Sequence, residues 1–192
     1  MSRRDLFEAV RLFAPSGKFS PKAVEITDAL ADEFGMPRDA AAPSNGVSVD
    51  PQLVADLKRD EGCRLKAYKD TVGVWTVGYG HAHVAPGTVW TQAQADEMLV
   101  KDIIKHNAEL ELEIPWIKHL DPVRRRVLQN MAFNLGVGSA TSGKGLLGFK
   151  NTLEAVRTGN YERAALGMAS SKWASQVHGR ADRLVAQMRT GK

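Results

Sequence analysis

The chain has 192 residues, 43% hydrophobic and 25% charged, which suffices for a packed domain and argues against general disorder. No apolar run approaches the roughly 18–20 residues of a membrane span, and a single cysteine, Cys63, excludes an intramolecular disulfide and fits a reducing compartment. The net charge of +4 is uneven: residues 122–192 carry twelve Lys/Arg against three Asp/Glu, so this part is expected to face a polyanion, either nucleic acid or an acidic bacterial envelope.

The N-terminal stretch MSRRDLFEAVRLFAPSGKF places Asp5 and Glu8 where a secretory signal needs its apolar stretch, so a cytoplasmic origin is expected. Leu6, Phe7, Val10 and Phe13 fall at helical spacing. Ser20-Pro21 can open a second helix with Ala23, Ile26, Leu30 and Phe34 as its stripe, closed by Gly35 and Pro37. Residues 1–46 therefore read as a helical hairpin and a linker, RDAAAPSNGVS. Phe7, Phe13, Phe19 and Phe34 need burial, which favours docking on the rest of the chain, with a wall-targeting module and a partner-binding element as the alternatives.

Asp50-Pro51 opens a helix that Gly62 stops, with Val54, Leu57 and Glu61 on one face. Between 65 and 84, β-formers (Tyr68, Val72, Val74, Trp75, Val77, Tyr79) alternate with Gly73, Gly78 and Gly80, which predicts a small antiparallel sheet. Thr91 caps a long helix ended by Pro115, with Ala95, Met98, Leu99, Asp102 and Ile103 on adjoining faces. Asp121-Pro122 starts another, PVRRRVLQNMAFNL. A glycine-rich loop, 136–148, is expected to act as a flap, and further helices fit 149–158, 160–169 and 180–189. Strands confined to one early stretch make the class α+β, mostly helical.

Two carboxylates stand out in EGCRLKAYKDTVGVWTVGYGH (61–81). Glu61 sits at a helix C-terminus, where the partial negative charge disfavours an anion, and on a face expected to be partly buried. Both effects favour its neutral acid form, as a general acid for glycosidic cleavage requires. Asp70 enters a polar turn and is expected to stay ionised, and the Thr76 hydroxyl can come near it across the hairpin. Two carboxyls in contrasting environments suit glycoside hydrolysis.

The stretch DEGCRLKAYKDTVGVWTVGYGH (60–81) resembles the catalytic signature of phage-type lysozymes, or endolysins: Glu, eight residues, Asp, five residues, Thr. The similarity continues through TQAQADEMLVKDI, LDPVRRRVLQNMAFNLG, GFKNTLEAVRTGNYERAALGMASSKW and GRADRLVAQMRTG, so that it covers 47–192. It implies a two-lobed fold with a long connecting helix, and hydrolysis of the β-1,4 bond between N-acetylmuramic acid and N-acetylglucosamine in peptidoglycan. Glu61 would be the general acid, Asp70 the base or electrostatic partner, and Thr76 the holder of the attacking water. Inversion at the anomeric carbon would need a carboxyl separation of roughly 6.5–9.5 Å. Phe133, Phe149, Thr152, Ala82 and Gly167 match substrate-groove positions, the last three with a changed residue. Arg180 matches a partner of Glu61, where it would oppose the acid's protonation, and Arg183 a partner of Asp60. His81 and Asp102 match a buried ion pair. The resemblance also implies release to the wall through a holin-type membrane lesion, a monomer, and no cofactor or metal. It departs in the shortened 76–91 stretch, the lengthened 136–148 loop and the end at Lys192.

Three rivals follow from the residues. His81, His83, His106, His119 and His178 raise a zinc amidase, but they lack a zinc-site spacing. Cys63 lacks the surroundings of a peptidase nucleophile. Arg124-Arg125-Arg126 lies inside an amphipathic helix without a nucleic-acid reading motif, so no nucleic-acid partner is expected. A lytic transglycosylase, acting on the same bond, is the nearest alternative chemistry.

Overall fold

The computed structural model describes residues 49–192, together with Leu6, Ile26, Thr27, Ala29, Leu30, Glu33 and Phe34. The chain divides into two compact units, Met1–Ser48 and Val49–Lys192. In the first, the described residues are helical up to Glu33, and Ile26, Leu30 and Phe34 of the expected stripe are exposed, whereas Thr27 is buried. The expected hairpin, its linker, and the burial of Phe7, Phe13 and Phe19 lie outside the described residues.

The second unit is α+β. Helix α1 (Pro51–Glu61) starts where Asp50 accepts a hydrogen bond from the Gln52 amide at 2.8 Å, and ends at Gly62. Strands β1 (Arg64–Lys69), β2 (Trp75–Gly78) and β3 (His81–Ala82) form an antiparallel sheet in the order β1-β2-β3. Residues 88–90 add backbone bonds to the outer edge of β1, Ala67 N to Thr88 O and Trp90 N to Leu65 O, each 2.8 Å. Helix α2 (Gln92–Glu113) opens with a reciprocal capping box between Thr91 and Gln94. A 3₁₀ turn at Pro115–His119 follows, then α3 (Pro122–Leu135), capped by Asp121 as expected. Helices α4 (Lys150–Arg157), α5 (Tyr161–Ala169), α6 (Lys172–Val177) and α7 (Gly179–Thr190) complete the unit.

Two hydrophobic clusters give the unit its lobes. In the smaller, Leu53 and Leu57 of α1 pack with Tyr79 and with Ala95, Leu99 and Ile103 of α2. The larger gathers α3 to α7 around Leu128, Met131, Leu146, Met168 and Leu184. Helix α2 belongs to both, because Leu110 near its far end lies in the larger cluster. A 22-residue helix rising about 1.5 Å per residue has the reach to join two cores.

The glycine-rich loop is held more firmly than a flap requires. Leu146 N donates to Gly136 O (2.9 Å) and Leu147 N to Val137 O (3.0 Å), while Val137, Leu146 and Leu147 are buried. Backbones cross closely at this neck: a Cβ on Gly138 would stand 2.0 Å from the Lys144 carbonyl oxygen, and one on Gly145 2.6 Å from the Gly138 Cα. Only the exposed turn 139–144 projects beyond it. The short helix α6, inside SKWASQV, goes beyond the expected set. It breaks into α7 at His178, a non-glycine residue with φ 42° and ψ −116°.

Candidate functional site

Helix α1 is two-faced. Leu53 and Leu57 turn toward the small lobe, whereas Asp56 and Asp60 are almost fully buried, their side chains 5% and 3% exposed, against the helices of the large lobe. Four-residue spacing on α1 is answered by four-residue spacing on α3. Arg126 stands with Nε 3.8 Å from Asp56 and donates Nη1–H to Asp50 at 2.7 Å, and Asn130 donates its amide to Asp60 at 3.1 Å. Helix α7 adds Arg183, which donates to Asp60, and Arg180. Acidic and basic side chains balance here: Asp50, Asp56, Asp60 and Glu61 meet Arg59, Arg126, Arg180 and Arg183.

Glu61 ends α1 and is half-buried. Its environment departs in part from the apolar face expected, since Leu53, not Val54, joins Leu57 in full burial, while the carboxylate meets the cation that the resemblance implied. Arg180 Nη1 donates to Glu61 Oε1 at 2.8 Å. The guanidinium is itself fixed, with Nε donating to Asn130 Oδ1 (2.9 Å) and Nη2 to the Asn130 carbonyl (3.2 Å), and its side chain is only 8% exposed. Asn130 is fully buried and escaped the sequence reading. The signal that could have found it is the polar residue among apolar neighbours in VLQNMAF, four positions after Arg126.

Asp70 follows β1 and organises the hairpin turn. Its Oδ1 accepts from Val72 N (2.9 Å) and Val74 N (2.8 Å), and its own amide donates to Val74 O (2.9 Å). Thr76, 3% exposed on β2, donates its hydroxyl to the same Val74 carbonyl at 3.2 Å. Asp70 and Thr76 are thus brought together through one peptide unit. The Thr76 proton is committed, so toward any other molecule the hydroxyl is an acceptor.

The remaining sequence-expected residues are spread around this centre. Ala82 of β3 pairs with Thr76. Phe133 is half-buried, edge-on to His106 at 5.2 Å, and Phe149 is half-buried, edge-on to Trp173 at 6.3 Å. Thr152 is 5% exposed, and its Oγ1 occupies the space beside Gly167, where a Cβ would stand 2.5 Å away. His81 Nδ1 lies 2.9 Å from Asp102 Oδ2, joining β3 to α2, with the Trp90 ring 5.5 Å away.

A second polar cluster, also absent from the sequence reading, ties α1, the β2–β3 turn and α2 together. Tyr79 donates to Asp96 Oδ1 (2.9 Å), Gln92 donates to both, and Lys58 pairs with Asp96 Oδ2 at 2.8 Å. The Lys58 hydrogen bond holds the Asp96 carboxyl below its ordinary range. Burial, followed by the Asp96 acceptor and its charge, pushes the Tyr79 phenol up to about 12. A proton bound more tightly when folded stabilises fully below about pH 10 and is lost as pH rises toward 12. The wild type is therefore expected to lose stability across pH 10–12 more steeply than Tyr79→Phe, which is weaker at pH 7. Urea midpoints at pH 7, 10 and 12 read this, and equal slopes would remove Tyr79 from the alkaline transition.

The basic C-terminal charge is largely used inside the fold. Arg124 bonds Asp121 and the Met188 and Arg189 carbonyls and lies over the Tyr161 ring, and Arg125 bonds the Lys118 and Leu120 carbonyls. With Arg126, Arg157, Arg180, Arg183 and Arg189 also ion-paired, Lys144, Lys150, Arg163, Lys172 and Lys192, together with the carbonyl-bonded Arg125, are the C-terminal cations without an ion pair among the described residues.

A family model described as phage lysozyme matches residues 58–188. The chain is 32% identical over 162 residues to the pre-baseplate central spike protein Gp5 of Enterobacteria phage T4, which covers 70% of this chain but 27% of that protein. It is 27% identical over 163 residues to a probable T4-type lysozyme of Dictyostelium discoideum, covering 70% of this chain and 92% of that one. With an endolysin of Acyrthosiphon pisum secondary endosymbiont phage 1 it shares 32% identity over 128 residues, 65% of this chain and 79% of the relative.

Proposed function

The chain belongs to the phage lysozyme family, and on that premise we propose that it is an endolysin that hydrolyses the β-1,4 bond between N-acetylmuramic acid and N-acetylglucosamine in peptidoglycan. The observation that carries this reading is the pairing of Glu61, at the end of α1, with the buried Arg180, beside a hairpin whose turn is built on Asp70.

Glu61 donates its proton to the leaving glycosidic oxygen. As the bond breaks, the carboxylate that remains is stabilised by the guanidinium 2.8 Å away. Water attacks from the other face of the sugar. It gives one hydrogen bond to Thr76, whose hydroxyl is left as an acceptor, and the other to Asp70, which takes the proton. A lone pair is then aimed at the anomeric carbon. This arrangement needs a water between the carboxyls and therefore a separation of roughly 6.5–9.5 Å with inversion. On this reading the chain reaches the wall from the cytoplasm through a holin-type lesion, and the unpaired C-terminal cations meet anionic wall components.

Purified peptidoglycan digested with the protein should yield free reducing ends at muramic acid, first formed as the α-anomer. Anhydromuramic ends would replace the hydrolase by a lytic transglycosylase. Release of peptide stems without new reducing ends would indicate an amidase.

A further inference from the structure

We propose that Asn130 is a positioning residue of this site, acting through Arg180 to aim and hold the cation against Glu61. The inference rests on the muramidase reading above. Arg180 has three hydrogen-bond directions in use, and two of them end on Asn130: the side-chain oxygen takes Nε–H and the main-chain carbonyl takes one Nη2–H. Only the third, Nη1–H, reaches Glu61. The planar fork of an arginine has little freedom once two of its edges are fixed, so the place of Nη1 is dictated from Asn130.

Asn130 suits this task for reasons of both burial and chemistry. It is fully buried on α3, a helix of the large lobe, so that it moves with that lobe's core. It has an acceptor for the guanidinium and a donor for Asp60 Oδ2 at 3.1 Å, and Asp60 in turn takes Arg183. An amide is the one side chain of this size that supplies donor and acceptor without charge. A carboxylate here would face Asp60, and an aliphatic residue would take from Arg180 Nε its acceptor and from Asp60 one of its donors, leaving it Arg183. The charged groups around the Glu61–Arg180 pair are Asp60 and Arg59 on α1 and Arg183 on α7. Asn130 is the neutral member that orders them.

The roles of its two ends can be separated with a soluble glycan substrate of defined length, measuring kcat and KM for each folded variant. Asn130→Ala is expected to lower kcat by about 10–100-fold, the scale of a small misplacement of reacting groups, with KM little changed. Asn130→Asp keeps the acceptor for Arg180 and loses the donor to Asp60. It should retain kcat within a few-fold of wild type while its urea midpoint falls, and it serves if Asn130→Ala does not fold. In an Arg180→Met background, Asn130→Ala should have no further effect on kcat. Additive losses in that background, or an Asn130→Asp variant with as low a kcat as Asn130→Ala, would overturn the proposal. A fully active Glu61→Gln would instead overturn the site reading on which it rests.

Discussion

Glu61→Gln is expected to lower kcat for glycan cleavage by about 10²–10⁴-fold, the usual contribution of a general acid, with binding to purified walls unchanged. The substitution is nearly isosteric. An amide oxygen still accepts from Arg180 Nη1, so the guanidinium retains an acceptor there in addition to its bonds with Asn130. What disappears is the ability to give a proton to a leaving oxygen. Because Asp60 keeps Arg183, Arg180 and Asn130, the buried charges remain compensated and the fold should persist. Turbidity loss of walls and reducing-end release give the readout, with a co-sedimentation assay for binding. A Gln variant that lyses at the wild-type rate would remove Glu61 from the chemistry.

Arg180→Met is expected to destabilise the second unit by about 3–5 kcal/mol, the range for removing one partner from a buried ion pair. Glu61 loses its cation, Asp60 loses the Nε that stands 3.5 Å away, and the Asn130 oxygen and carbonyl lose their donor. Methionine is long and apolar enough to fill most of the space, so the loss measures uncompensated polar groups rather than a cavity. Arg157→Met, at an exposed pair with Glu154 on the outside of α4, should leave the urea midpoint unchanged. An Arg180→Met midpoint equal to that control would show that the buried network is not cooperative. Loss of activity accompanies loss of stability here, whereas Glu61→Gln should separate the two.

The parts of this architecture set by local rules were legible in the sequence. Asp50-Pro51 and Asp121-Pro122 mark helix starts with a cap and a proline, and Gly62 and Pro115 mark ends, so α1, α2 and α3 lie where expected. The pattern from Tyr68 to Tyr79 specified a hairpin, and Asp70 does sit in its turn. Long-range partners were less legible. Asn130 looks like any polar interruption of an apolar helix face until α1 and α7 are brought against it. Helix α6 is six residues long and depends on Trp173, buried with its indole nitrogen on Asn134, rather than on periodicity. Nor does similarity to a groove position reveal that Thr152 packs into the space a side chain at Gly167 would fill. Glu61 lies at the expected helix end, and its cation, 119 residues away in sequence, was legible through the resemblance to Arg180 rather than through helical spacing.

The crossing of Gly138 and Gly145 has a consequence for how this protein can change. With the neck closed by main-chain contacts that include Ser139, Gly143 and Lys144, and anchored by Val137, Leu146 and Leu147, residues 140–142 answer to neither the core nor the α1–α3–α7 charge cluster. The three positions of the turn's tip can be rewritten, lengthened or replaced by a foreign peptide without disturbing what lies beneath. Evolution and the engineer are offered the same graft point, and the glycines of the neck are its fixed terms.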